Sequence, residues 1–95
     1  MTHDLQFYID GAWTDPVVPA RIDVINPATE EAFTAISAGS AADVDKAVAA
    51  ARAAFPAFSQ SSKAERLALL RRVLDAYNSR GEDIAQAVSQ EMGAP

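Results

Sequence analysis

Hydrophobic and polar positions follow two different periods along this chain, and the change from one to the other falls near residue 38. Phe7, Tyr8 and Ile9 precede Asp10-Gly11, and Ala12, Trp13 and Thr14 follow it. That order predicts two short aromatic-rich strands joined by a type I′ turn, because Asp-Gly suits the positive φ angles such a turn requires. Pro16 and Pro19 then interrupt any sheet ladder through their fixed φ and missing N–H, so residues 15–20 read as an irregular connection. Ile22, Val24 and Asn26 alternate with Asp23 and Ile25, and after Pro27 to Glu31 the β-prone run Ala32 to Ile36 predicts a second hairpin.

Beyond Gly39-Ser40 the period becomes 3.6 residues. Ser40 is placed to cap a first helix with Asp43 in its first turn, where the helix dipole favours an acid. Val44, Ala47, Val48, Ala51 and Phe55 form one stripe, read as plain core packing, and Pro56 is expected to end the helix. Ser62-Lys63-Ala64-Glu65 has the form of a capping box ahead of Leu67, Leu70, Val73, Leu74 and Tyr77. This second helix should stop near Gly81, where Glu82 and Asp83 open a third carrying Ile84, Ala85, Val88 and Met92 inward, closed by Gly93 and Pro95. The fold class is therefore α+β, two β-hairpins in residues 1–37 followed by three helices in residues 38–95.

At 95 residues the chain is at most one small domain, and a domain of that size buries only about 60 to 65% of its unfolded surface. With 49% hydrophobic and 22% charged residues it belongs to the globular class. The net charge of −5 repels phosphate backbones, which argues against nucleic acid as a partner. Arg52, Arg66, Arg71 and Arg72 read as the solvated face of helices. No apolar run approaches the roughly 18 residues a membrane span needs, so no membrane partner is expected and the cytoplasm is the default location.

Candidate chemistry is sparse. The chain has no cysteine, only four glycines and no phosphate-binding loop. His3, the one histidine, is expected to belong to a mobile polar tail. Glu30-Glu31 and Glu82-Asp83 are adjacent acids whose side chains diverge, whereas acid–base catalysis needs them to converge. Tyr8 and Trp13 are expected to be packing aromatics. No residue qualifies as catalytic.

Taken in order, Phe7 to Trp13, Val24-Ile25-Asn26-Pro27-Ala28-Thr29-Glu30-Glu31, Ala42 to Phe55, Glu65 to Arg71, and Glu91-Met92-Gly93-Ala94-Pro95 resemble the opening of the NAD(P)-dependent aldehyde dehydrogenase superfamily. Glu30 stands where that family usually has glycine, Phe58 where it often has tryptophan and Ala94 where it often has lysine. The resemblance implies that both parts belong to one incomplete, Rossmann-like dinucleotide-binding domain, whose helices pack against a sheet this chain does not contain. It also implies that the family's cysteine nucleophile, glutamate base and main NAD or NADP contacts lie downstream of Pro95, so that this chain alone binds no cofactor and is inactive. The expected partners are the remainder of the enzyme and further copies in a homo-oligomer. The resemblance further places a monovalent cation on the backbone carbonyls of Val24, Ile25 and Glu91, with other ligands from outside the chain. The alternative is a free-standing helical module for interaction or self-association.

Overall fold

A computed structural model describes residues 3–95 of the chain. Four strands, β1 (Phe7–Ile9), β2 (Ala12–Thr14), β3 (Arg21–Asn26) and β4 (Glu31–Ser37), precede three helices, α1 (Ala41–Ser59), α2 (Lys63–Ser79) and α3 (Gly81–Met92). The strands form two separate antiparallel hairpins, β1 with β2 and β3 with β4. The predicted order of two hairpins and three helices is the observed one.

The turns are built as their residues dictate. Asp10 and Gly11 both take positive φ, 54° and 74°, as a type I′ turn requires. At the second turn the Asn26 Oδ1 accepts the Ala28 N–H (2.9 Å) and the Asn26 carbonyl accepts the Glu30 N–H (2.8 Å). Glu30 itself sits at φ 61°, a left-handed conformation that glutamate adopts less readily than glycine. Val24 pairs with Thr34 but Ile25 with Ala32, which inserts Phe33 as a β-bulge and breaks the ladder beside Val24 and Ile25.

The helix boundaries correct two expectations. Pro56 does not end α1, which runs one turn further to Ser59. The proline lacks only its own N–H donor to the carbonyl four residues earlier, and the last turn still closes on its carbonyl side: the Gln60 N–H donates to the Ala57 carbonyl and the Ser59 hydroxyl to that of Pro56. At α2 the Ser62 hydroxyl accepts the Glu65 N–H (3.1 Å), which is half of the expected box. The complete reciprocal box caps α1 instead, between Ser40 and Asp43. α2 and α3 meet at Arg80, and Gly93 closes α3 in the left-handed conformation, as predicted.

The apolar stripes are present but uncovered, and this corrects the reading of Val44, Val48 and Phe55 as core. Among the described residues no hydrophobic side chain is buried. Leu70 is 64% exposed and Met92 70%. α1 rests on β1, where Phe7 and Ile9 are half-buried, α3 rests on β3, and α2 meets α3. A compact chain of this length has a radius of gyration of about 12 to 13 Å, whereas this one measures 16.9 Å with extents of 48 × 34 × 17 Å.

The buried side chains that do occur are polar, Ser37 and Asp43. Asp43 Oδ2 accepts the Ser40 N–H (3.0 Å) and hydroxyl (2.9 Å), while its Oδ1 accepts the Val17 N–H (3.0 Å). One carboxylate therefore caps α1 and holds the proline-rich connection against it. Hydrogen bonds from the Ser40 and Val17 amides, aided by the Ser40 hydroxyl and the charge of Lys46, keep its acidity stronger than an ordinary aspartate's despite opposition from burial. Because the folded state lowers this pKa, its stabilisation is complete above the unfolded value of 3.8 and disappears as pH falls below it. Asp43→Asn should be less stable than the parent near neutral pH, with the gap narrowing as pH falls through about 4. Thermal melts of both proteins across that range check this; a gap that stays constant would refute the assignment.

Candidate functional site

The expected cation ligands fall on two elements that the fold brings together. Val24 and Ile25 lie in the middle of β3 beside the bulge, and Glu91 lies in the last turn of α3, which packs on β3. The carbonyls of a helix's last turn have no intrahelical partner. The segment beyond the helix folds back on it, the Ser89 hydroxyl of α3 donating to the Ala94 carbonyl (2.5 Å).

Gly93 makes this junction possible. Its φ is +70°, and a Cβ built there would lie 2.9 Å from the Ala28 nitrogen and 3.4 Å from Pro27 Cβ. Side chains rarely adopt that φ, and the space belongs to backbone that cannot swing away. The Asn-Pro turn and the Glu-x-Gly segment, far apart in the chain, thus form one steric contact.

No group of three or more His, Cys, Asp or Glu side chains converges among the described residues. Asp83 pairs with Arg80 (2.6 Å) and Glu82 accepts from Gln86 (3.1 Å), both in solvent, so the two neighbouring acids serve the start of α3. The remaining glycines form no phosphate cradle: Gly11 is in a hairpin turn, Gly81 begins α3, and Gly39 lies 3.9 Å from Phe7 when given a Cβ. A groove of about 210 Å³ between β1 and α1 is lined by Phe7, Ile9, Gly39, Asp43, Val44 and Ala47, and it offers apolar surface with no nucleophile.

The aromatic residues of the first hairpin match their expected role in part. Tyr8 faces Trp13 across the strand pair in an edge-on arrangement, ring centroids 5.1 Å apart, but both rings are largely exposed. His3 is not a free tail, since its ring stacks on Trp13 at 4.1 Å with the planes 2° apart. A single histidine in a polar stretch carries no sequence signal for such a stack, because the partner ring lies ten positions away.

The model of the aldehyde dehydrogenase family matches residues 13–95. The chain belongs to the aldehyde dehydrogenase family. It is 49% identical over 90 residues to a 3-succinoylsemialdehyde-pyridine dehydrogenase of Pseudomonas sp, covering 95% of this chain and 19% of that protein. It is 47% identical over 88 residues to a putative aldehyde dehydrogenase of Staphylococcus aureus, covering 93% of this chain and 18% of that protein. Among solved structures, the aldehyde dehydrogenase of Bartonella henselae superposes with a TM-score of 0.95 at 46% identity, over 97% of this chain and 19% of that one. An aldehyde dehydrogenase of Pseudomonas syringae, crystallised with NAD+ and octanal, gives a TM-score of 0.94 at 49% identity with the same coverage. The hairpins and helices thus match the N-terminal part of aldehyde dehydrogenases. The chain spans about a fifth of the length of the relatives it matches.

The Gly93 contact yields a graded pair of substitutions. Gly93→Ala should cost about 1 to 3 kcal/mol, the range for a side chain held in a disfavoured backbone region, and lie toward the upper end because the Ala28 amide must also move. Gly11→Ala, at a similar φ of +74° but with open space around it, should cost less. Urea unfolding of the two variants checks the order, and equal costs would show that the Ala28 approach does not matter.

Proposed function

We propose that this chain is the N-terminal building block of an enzyme that oxidises an aldehyde to a carboxylic acid with NAD or NADP, and that it supplies scaffold and no catalytic group. The observation that carries this reading is the uncovered apolar face of the helices in a segment so similar to aldehyde dehydrogenases. A folded monomer of 10.1 kDa exposes about 5,300 Å², and this chain exposes 7515 Å². Residues 1–37 and 38–95 are two parts of one dinucleotide-binding domain, and the helical stripes are the faces that its Rossmann-like sheet would cover. NAD+ is present in solved relatives, which supports NAD as the cofactor of the complete enzyme. Aldehyde oxidation through a thioester needs a thiolate, and the chain contains no cysteine. No described helix is long and apolar enough to cross a membrane, which is compatible with a cytoplasmic homo-oligomer as the assembled form.

Mixing the chain with a downstream segment that begins where the match to the Pseudomonas dehydrogenase stops tests the reading. The expected result is a one-to-one complex by sedimentation, and no NADH production by the 95-residue chain alone. A compact monomer that ignores both the segment and a hydrophobic dye would favour the alternative, a free-standing interaction module.

The same reading extends to the cation. The carbonyls of Val24, Ile25 and Glu91 are hard oxygen donors suited to a monovalent ion, and the packing of α3 on β3 supports this reading. In the complex described above, potassium or sodium at equal ionic strength should raise the melting temperature relative to choline. Identical melts in all three salts would remove the site.

A further inference from the structure

The two hairpins share no strand pairing, so something other than a sheet ladder must fix one against the other. The residues that precede β1 do so. Residues 3–6 form a turn closed by the Gln6 N–H donating to the His3 carbonyl (3.0 Å). From this turn one set of contacts reaches the first hairpin: the His3 ring lies flat on Trp13, His3 Nδ1 pairs with Gln6 Oε1 (2.7 Å), and Gln6 Nε2 donates to Asp15 Oδ1 (3.1 Å). A second set reaches β4: the Thr34 hydroxyl donates to the Asp4 carboxylate, and the Ser37 hydroxyl to the Leu5 carbonyl (2.6 Å).

We propose that residues 3–6 are a strap that locks the two hairpins together, with the His3–Trp13 stack as its releasable end. The two ends differ in a way that sets the direction of opening. Ser37 is buried, and its bond and that of Asp4 are half-buried, so breaking them leaves polar groups less well solvated than at an exposed contact. At the other end His3 is exposed, Trp13 is 48% exposed, and the Gln6–Asp15 bond is in solvent, where water replaces each contact at little cost. Trp13 also keeps Tyr8 as a partner after His3 leaves. Opening therefore starts at His3, and it frees the second hairpin, whose turn seats Gly93, from the first.

Trp13 is the only tryptophan in the chain and reports on its own stack. In the full 95-residue chain, His3→Ala should move Trp13 emission to longer wavelength and speed hydrogen exchange of the β4 amides about fivefold, the effect of losing one modest contact. His3→Phe, which keeps a ring on Trp13, should restore the emission. Ser37→Ala should speed β4 exchange with Trp13 emission unchanged. Emission and exchange unaltered by His3→Ala would overturn the proposal, as would a His3→Phe protein that emits like His3→Ala. Loss of helical circular dichroism in His3→Ala would also overturn it, since a strap between hairpins does not support the helices.

Discussion

The constraint that shapes this molecule is that its apolar surface has too little protein to lie against, so the arrangement of its elements rests on polar and steric ties. Asp43 is the central one. Its carboxylate takes three donors, two from the residue that caps α1 and one from Val17 in the proline-rich connection. That joins the helical half to the hairpin half at a point where burying the charge is tolerable only because each oxygen is satisfied. Gly93 against Ala28 does the same at the far end of the helices by shape alone. The strap at residues 3–6 completes the set between the hairpins.

Features governed by neighbours in sequence were legible. Asp10-Gly11 announced its turn, the shift of period near residue 38 announced the helices, and Gly93 announced the end of α3, because positive φ, amphipathic period and left-handed caps are decided within a few residues. The two local misreadings have local causes. Pro56 costs α1 its own ladder donor without stopping the turn that follows, and Ser62 has a glutamate three residues on, as a box requires, yet the shorter aspartate at position 43 is the one that returns to its cap. A motif lists partners that are able to bond, and the side-chain geometry decides which of them do.

What the sequence did not show is non-local. Val17 and Asp43 are 26 positions apart and Ser37 and Leu5 are 32 apart, and no periodicity links them. Likewise the Asn-Pro turn and the Glu-x-Gly segment looked like separate signatures, and the fold shows that they are two sides of one contact. This gives a physical meaning to their co-occurrence: a glycine at position 93 is needed because the Ala28 amide occupies the place of its missing side chain.

The uncovered stripes finally bear on what kind of partner the helices require. The excess over an ordinary monomer is about 2,200 Å² on this chain alone, whereas a standard protein–protein interface buries about 800 Å² per partner. Part of that exposed surface is apolar, carrying Val44, Val48 and Phe55 on α1 and Leu67, Leu70 and Leu74 on α2. The polar ties hold the elements in the arrangement seen in aldehyde dehydrogenases, with a TM-score of 0.95, even though the face that would give that arrangement most of its hydrophobic stabilisation is bare. Orientation and stabilisation are thus separable here, the first lying in Asp43, Gly93 and the strap, the second in whatever covers the helices.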